Sequence, residues 1–191
     1  MDEGAEIGEM SRYGVVAHRL KGWVERGRDT PLERYKQAIQ SSVFRDVGAL
    51  KEVAHVCKVD GIPAAHTRLL GLLQEEGVSY LPIMARPEGI NSKTAIINGR
   101  KYIYYPDDIS SRSEVCQLVG LSHKYKSLKL REKGVRGQTK VALQILTTDI
   151  AFLEFLKVLP KTTEGEKREI LRMGKEYESR IQMVTEGVFK G

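Results

Sequence analysis

The stretch TAII-NG-RKYIYY, residues 94–105, restricts the fold of this chain more than any other feature of the sequence. Both central positions of a two-residue primed turn need a positive φ, which Asn98 and Gly99 tolerate, so this stretch predicts a β-hairpin. The preceding stretch VSYLPIM, which begins at Val78, is also typical of a strand. We therefore expect a small antiparallel sheet spanning about 78–105.

Helical patterns precede this sheet. The stretch TPLE, residues 30–33, predicts a helix start in which Thr30 caps and Glu33 is its capping-box partner. Apolar residues at helical spacing then predict a helix over about 46–57 and a second one over about 63–76. The connection KVDGI separates these two helices, and Gly77 is expected to end the second.

Helical patterns also follow the sheet. Ser111, with Glu114 three residues later, predicts a helix over about 112–121. Residues 139–159 are apolar nearly all round, which is typical of a helix buried on most sides. Thr163 and Glu166 predict the start of a last helix, which carries a narrow apolar stripe. That stripe suits one partner helix, in the same chain or in a second subunit of a homodimer, and it consists of Ile170, Met173, Tyr177, Ile181 and Val184.

These patterns together predict an α+β protein that is mostly helical, with a small antiparallel sheet and a C-terminal helical hairpin. The expected organisation is an N-terminal helical arm (1–30), a mixed core (31–121), a basic connecting segment (122–140) and C-terminal helices (141–191).

The positive charge of the chain is concentrated in the basic segment, residues 122–140. This segment holds seven of the 31 Lys and Arg residues and one of the 25 Asp and Glu residues, which leaves 24 of each elsewhere and accounts for the whole net charge of +6. Such a localised cationic block is what a polyanionic partner would meet. A solvated loop between helical units and a site for an acidic protein remain alternatives.

Cysteine content and hydropathy predict an intracellular protein. Cys57 and Cys116 are the two cysteines of the 191 residues, too few for a disulfide framework, and neither belongs to a CxxC pair. The acidic N-terminus MDEGAEIGEM lacks the apolar run of a signal peptide, and no run has the roughly 18 apolar residues of a membrane helix. We therefore expect a cytoplasmic location and no membrane partner.

The sequence lacks common catalytic and metal-binding motifs, which favours a non-catalytic protein without a cofactor. His55, Cys57 and His66 match no zinc-ligand spacing, and their expected role is helix packing. Cys116 and His123 would lie roughly 10 Å apart if one helix carried both, which is too far for direct activation of the thiol.

A carboxylate site for a divalent metal is also disfavoured. Asp107, Asp108 and Glu114 lie where acidic residues commonly stabilise the start of a helix. The acid-x-Lys element of one nuclease signature is missing, because Val115 and Cys116 follow Glu114. We therefore predict neither catalytic residues nor a bound metal.

The order helix, turn, helix, strand, loop, strand over residues 46–105 resembles the winged helix-turn-helix domain of MarR-type and PadR-type regulators. Its centre would be LKEVAHVCKVDGIPAAHTRLLGLLQEEGVSYLPI, with residues 63–76 as the recognition helix. The resemblance implies a winged-helix-like core, a dimer through flanking helices, and His66, Thr67 and Arg68 near base edges in the major groove.

The stretch INGRKYIYYPDDISSRSEVCQLVGLSHKYKSL is similar to the part of ImmA/IrrE-type peptidases that leads into their zinc helix. That family carries HExxH on the helix, whereas here His123 is followed by Lys124 and has no second His four residues away. This resemblance implies a related fold without the metal chemistry.

The sequence therefore predicts a nucleic-acid-binding protein, for example a DNA-binding regulator, that contacts DNA or RNA phosphates through the basic segment. The expected contacts are Lys124, Lys126, Lys129, Arg131, Lys133, Arg136 and Lys140, together with His66, Thr67 and Arg68. Two alternatives remain: a structural or assembly protein, such as a viral subunit, that uses its C-terminal helices, and a degenerate metallopeptidase-like domain.

Overall fold

The computed structural model describes residues 30–40, 42, 44, 48–90, 93–135 and 139–187, with the side chain of Lys140 left out. The described part contains six helices and three strands, and the predicted α+β, mostly helical fold is confirmed. The elements are α1 Pro31–Gln40, α2 Gly48–Asp60, α3 Ile62–Glu75, β1 Val78–Pro82, β2 Thr94–Ile97, β3 Arg100–Tyr105, α4 Glu114–Glu132, α5 Thr139–Lys157 and α6 Glu164–Thr185. The predicted N-terminal arm lies outside the described residues, apart from Thr30.

The three strands form one mixed sheet in the order β1-β3-β2. Strands β2 and β3 are antiparallel and are joined through Asn98 and Gly99, whose φ values of 50° and 75° confirm the predicted hairpin. Strand β1 is parallel to β3, with Val78 opposite Lys101, so the prediction of a wholly antiparallel sheet is wrong. Strand β2 runs in the direction opposite to β1, so the hairpin turn after β2 lets β3 run in the same direction as β1.

Two of the predicted helix starts are confirmed by their hydrogen bonds. At α6, the Thr163 hydroxyl accepts from the Glu166 amide at 3.2 Å, and the Glu166 carboxylate accepts from the Thr163 amide at 2.7 Å. At α1, the Glu33 amide donates to the Thr30 hydroxyl at 3.3 Å. These contacts satisfy amides that have no partner in the first turn of a helix.

The connection between α2 and α3 is shorter than predicted. Helix α2 continues to Asp60 and α3 begins at Ile62, so Gly61 alone separates them. Gly61 has a φ of 97°. Glycine adopts this positive φ without the steric cost that a β-carbon would add, so the chain can change direction abruptly at this residue. Gly77, with φ 69°, follows the end of α3 as expected.

Helix α4 begins and ends elsewhere than the sequence suggests. Ser113 is its N-cap and accepts from the Cys116 amide at 3.2 Å, whereas Ser111 belongs to the preceding short 3-10 turn. The helix then continues to Glu132, about eleven residues beyond the predicted end. The expected connecting segment 122–140 is therefore mostly helix, because Lys, Arg and Leu in this stretch are good helix formers.

Helix α4 occupies the centre of the fold. It packs against α3, α5 and α6, and also against β2 and β3. A single apolar cluster contains side chains from all six helices, among them Tyr35, Leu50, Leu69, Leu118, Phe152 and Met173. The position of α4 between these elements buries residues that the charge pattern assigns to solvent.

The apolar stripe on α6 packs inside the chain. Ile170, Met173 and Tyr177 are buried in the common core, and Ile181 and Val184 are partly buried against it. Helix α6 lies on α5 and contacts α4. Of the two partners predicted for this stripe, the helix of the same chain is the one observed.

In the part of the chain that the structure describes, no helix has the length and apolar character needed to span a membrane.

Candidate functional site: a cationic cleft beside a buried Lys-Asp-His cluster

Lys126, one of the predicted phosphate contacts, is completely buried. Its side chain is 0% exposed, and its ammonium group donates a hydrogen bond to Oδ1 of Asp149, which is also 0% exposed. Asp149 lies on α5, so this ion pair joins the two central helices. The prediction that Lys126 contacts nucleic acid is wrong, because a group without solvent contact reaches no phosphate.

Lys129 belongs to a second network that fastens α4 to its neighbours. Its ammonium group forms ion pairs with Glu76, after α3, and with Glu132, the latter at 3.1 Å. Lys101 of β3 also pairs with Glu132 at 2.9 Å, and the Tyr125 hydroxyl donates to Glu76 at 2.5 Å. Burial alone lowers the pKa of Lys129, but the two carboxylates outweigh it and raise the pKa. The charge of Lys129 is therefore already balanced.

The other predicted phosphate contacts of the basic segment lie in different environments. Lys124 lines a cleft between α4 and α6. Arg131 and Lys133 lie exposed at the C-terminal end of α4. Arg136 and the side chain of Lys140 lie outside the described residues. Among its described residues, the segment thus contains lysines that are buried or ion-paired within the fold as well as cations that face solvent.

Arg68, the cation of the predicted recognition helix, is paired with two carboxylates. Its guanidinium donates to Glu52 at 2.5 Å and to Glu75 at 2.7 Å, and these hydrogen bonds raise its pKa. The contact with Glu52 ties α3 to α2. A guanidinium that is held by two carboxylates offers little net charge to a phosphate.

Thr67 and His66 are also engaged locally. The Thr67 hydroxyl donates to the Pro63 carbonyl at 3.2 Å, within its own helix. His66 Nδ1 lies 3.7 Å from Glu114, while burial lowers the pKa of the imidazole against the opposing effect of this carboxylate. The structure therefore does not bring His66, Thr67 and Arg68 together with the basic segment in one site.

A cleft of about 630 Å³ opens on the face where α4 and α6 meet the turn before α4. Four parts of the chain line it: Lys93 before β2, residues 108–113, the first half of α4, and α6. We call it the cationic cleft, because its walls carry five Lys and Arg side chains and three carboxylates. The cations are Lys93, Arg112, Lys124, Arg172 and Arg180, and the carboxylates are Asp108, Glu169 and Glu176.

The three arginines of the cleft are paired with its carboxylates. Arg112 contacts Asp108 at 2.9 Å, Arg172 contacts Glu169 at 2.7 Å, and Arg180 contacts Glu176 at 2.5 Å. No carboxylate among the described residues forms an ion pair with Lys93 or Lys124. The excess positive charge of the cleft is thus located at these two lysines.

Lys124 is the cation of the cleft whose pKa is lowered by its surroundings. Burial is the main cause that lowers its pKa, to about 8, and repulsion from Lys93 and Arg180 lowers it further. Asp149 acts in the opposite direction without compensating. Positive groups that repel one another around a partly buried lysine are the arrangement that a bound anion would stabilise.

His123 extends the buried ion pair to the floor of the cationic cleft. Its Nδ1 lies 2.6 Å from Oδ2 of Asp149, so this carboxylate accepts hydrogen bonds from both Lys126 and His123. Burial would raise the pKa of Asp149, but the positive charge of Lys126 and the contact with His123 lower it overall. Asp149 therefore remains ionised and fixes the orientation of the imidazole.

The remaining nitrogen of this imidazole is available to a ligand. The His123 side chain is 19% exposed and lines the cleft, and no hydrogen bond among the described residues engages its Nε2. The ring of Tyr177 lies 6.1 Å away between centroids and closes one side. A histidine held by a buried aspartate, with its other nitrogen towards a cleft, is arranged for proton transfer.

Cys116 also lines the cleft, but it does not pair with His123. Both residues lie on the uninterrupted helix α4, seven positions apart, which places them roughly 10 Å apart along the axis. The structure also shows no group of three or more His, Cys, Asp and Glu residues suited to a metal ion within its described ranges.

Asp149 is a site residue that the motifs of the sequence do not indicate. One signal is nevertheless present, because it is the one acidic residue between Thr139 and Leu153, in a helix that is apolar nearly all round. A lone acidic residue in such a stretch is rarely left without a partner.

Comparison with known proteins finds no matching family model, no similar curated protein and no similar solved structure. The function of the cleft is therefore inferred from its own geometry.

Proposed function

We propose that this protein binds nucleic acid, and that the phosphates occupy the cationic cleft. The observation that carries the proposal is the pair of lysines, Lys93 and Lys124, which line one cleft without a carboxylate partner among the described residues. Repulsion between them is relieved when a phosphate lies between them, and the released counterions add to the affinity.

The extent of the cleft favours a chain of phosphates over a single one. Arg172 and Arg180 line it from positions two turns apart on α6, or about 12 Å along the helix axis. That distance exceeds the spacing of neighbouring phosphates along a strand. A recessed cleft accepts one flexible strand more readily than a duplex, so single-stranded RNA or DNA is the preferred ligand.

This proposal keeps the predicted ligand class and changes the binding residues. Affinity comes mainly from Lys93 and Lys124, because the arginines of the cleft are paired with its carboxylates. Lys126 and Lys129 are used inside the fold. The cytoplasmic location predicted from the cysteines is where such a protein would meet nucleic acid.

The test is a salt series of binding to fluorescent 12-nucleotide RNA and DNA single strands and to the matching duplex. Lys93 and Lys124, if each meets a phosphate of a single strand, give a slope of log K against log salt of about −1.4. The double variant Lys93→Gln, Lys124→Gln should therefore remove most of this slope.

The matched control removes two charges elsewhere. Lys51 and Lys157 are exposed and do not line the cleft, so their replacement by Gln changes the net charge equally. The control should lose less than about a third of the slope that the cleft variant loses. Equal losses in the two variants, or no binding by the native protein at low salt, would refute the cleft as the site.

A further inference from the structure

We propose that the cationic cleft cleaves RNA by intramolecular transesterification, with His123 as the general base and Lys124 as the general acid. The proposal rests on the proposed binding of nucleic acid and deepens it, because it names a substrate class and a reaction for the same cleft. It is carried by the placement of two proton-transfer groups, one of them fixed by a buried carboxylate, among cations that bind phosphate.

His123 has the geometry of a base. Asp149 holds Nδ1 at 2.6 Å, which defines the tautomer and leaves Nε2 to accept a proton on the cleft side. Asp149 is in turn fixed by Lys126 and is fully buried, so the imidazole has a rigid support. The positive charge that His123 gains on accepting a proton is stabilised by the same carboxylate.

Lys124 is suited to donate a proton. It follows His123 directly on α4, about 100° further around the helix axis, and both residues line the cleft. Its pKa is lowered to about 8 by burial and by neighbouring cations, which makes its ammonium group a stronger acid than an ordinary lysine at neutral pH. Groups on two sides of a phosphate are what in-line displacement needs.

The reaction balances without a metal, water or another reagent. Nε2 of His123 takes the proton of a ribose 2′-hydroxyl, and the 2′-oxygen forms a bond to the adjacent phosphorus. The bond from phosphorus to the 5′-oxygen of the next nucleotide breaks, and that oxygen takes a proton from the Lys124 ammonium group. The products are a 2′,3′-cyclic phosphate and a 5′-hydroxyl, and exchange of protons with solvent restores both residues.

The other cations of the cleft stabilise the transition state. Negative charge grows on the non-bridging phosphate oxygens as the 2′-oxygen attacks, and Lys93 and Arg180 lie in the lining beside Lys124. A base and an acid contribute typically about 10²-fold to 10⁴-fold each. DNA lacks the 2′-hydroxyl, so it is expected to bind without being cleaved.

The experiment compares three 12-nucleotide strands with the full-length protein in EDTA: RNA, DNA, and DNA with one central ribonucleotide. The expected result is one cut in the third strand, 3′ of the ribonucleotide, with a 2′,3′-cyclic phosphate identified by mass spectrometry. His123→Gln should slow cleavage at least about 100-fold with binding retained. The Lys51→Gln variant, purified in the same way, controls for contaminating nuclease and should cleave like the native protein.

A modified substrate separates the acid from a merely cationic residue. Lys124→Gln should slow cleavage of the normal strand, whereas a strand with sulfur in place of the 5′-bridging oxygen needs no protonation of its leaving group. That strand should restore the rate of Lys124→Gln and not the rate of His123→Gln. Failure of the sulfur strand to restore cleavage would remove Lys124 from the role of acid.

The positioning role of Asp149 is tested through the pH profile. The titratable groups that face the imidazole of His123 are Asp149 from α5 and Tyr177 from α6, while Lys124 and Arg180 add positive charge in the same cleft. The native protein should show a bell-shaped dependence of the rate on pH. Asp149→Asn should displace its acidic limb, because the imidazolium loses its carboxylate.

A second variant keeps this test decisive if Asp149→Asn fails to fold. Lys126→Met with Asp149→Asn removes the buried ammonium group together with the carboxylate, and it should show the same displaced limb. Binding of RNA with no cleavage at any pH would overturn this inference and leave the proposed function intact. Loss of binding by the native protein would overturn both.

Discussion

Nδ1 of His123 lies 2.6 Å from Oδ2 of Asp149, and this contact joins a solvent-accessible imidazole to a fully buried carboxylate in the core of the fold. The other oxygen of Asp149 accepts from Lys126, whose side chain is also fully buried. A charged pair in an apolar core stabilises a fold weakly at best, because both ions lose their hydration. The third member of the cluster, at the cleft, gives the buried charge its proposed function.

Asp149→Asn should destabilise the protein strongly. The change leaves the Lys126 ammonium group buried without a counter-charge, which costs about 3–5 kcal/mol of the free energy of unfolding. Urea titration followed by circular dichroism measures it. The double variant Lys126→Met with Asp149→Leu removes both charges and should lose much less. A loss under about 1 kcal/mol for Asp149→Asn would show that the pair is not a buried charge pair in solution.

Acid should weaken the fold through Asp149. Its pKa is lowered in the folded protein, so its ionised form stabilises the fold at pH values above the ordinary aspartate pKa of about 4. This stabilisation is lost as the pH falls below that value towards the lowered pKa. Urea midpoints measured from neutral to acid pH should therefore fall, and they should fall less steeply in the Lys126→Met, Asp149→Leu variant. Parallel curves would contradict this assignment.

The protein should become more stable as the pH rises through the alkaline range, because the folded protein binds the proton of Lys124 less tightly than the unfolded chain does. The pKa of Lys124 is about 8 when folded and near the ordinary lysine value of 10.5 when unfolded, so the unfolded chain binds the extra proton between these values. The free energy of unfolding therefore rises with pH over this interval. Lys124→Gln should remove the rise and stabilise the protein at neutral pH by about 1 kcal/mol, after allowance for solvent screening. A destabilised variant would contradict the prediction.

Lys124→Gln should change the stability of the protein and its affinity for nucleic acid in opposite directions. Lys124→Gln is expected to weaken nucleic-acid binding while it strengthens the fold. A lysine that repels its neighbours is costly to keep unless a ligand uses its charge. Thermal unfolding with and without RNA measures both effects in one experiment: RNA should raise the Tm of the native protein more than that of Lys124→Gln.

Local sequence signals predicted most of the secondary structure. Asn98 and Gly99 define the hairpin because few residue pairs tolerate positive φ at both positions, and Thr163 with Glu166 defines a helix start through its own hydrogen bonds. These features depend on neighbouring residues alone. The parallel pairing of β1 with β3 depends on the position of β3 between β1 and β2 in the sheet, and no local pattern encodes this order.

The site was harder to predict because charge patterns do not reveal burial. Lys126 and Lys129 belong to a cationic block in the sequence, yet α4 is the central helix and turns these residues towards Asp149 and Glu76. The partners lie 23 and 53 positions away along the chain, so no short window of sequence contains both members. In the sequence, His123 and Cys116 are close enough to be considered as a pair, but helix geometry excludes their contact. The partner of His123 is Asp149, which lies on α5.

Glu76 should contribute more to stability than its neighbour Glu75, although both carry the same charge. Glu76 accepts from the Tyr125 hydroxyl at 2.5 Å and pairs with Lys129, and both partners belong to the central helix. Glu75 pairs with Arg68 on the exposed surface of its own helix. Glu76→Gln should therefore cost about 1–3 kcal/mol of the free energy of unfolding, whereas Glu75→Gln should cost less than about 1 kcal/mol. Urea titrations of the two variants at neutral pH measure the difference, and equal losses would mean that the network around Lys129 does not hold α4 against α3.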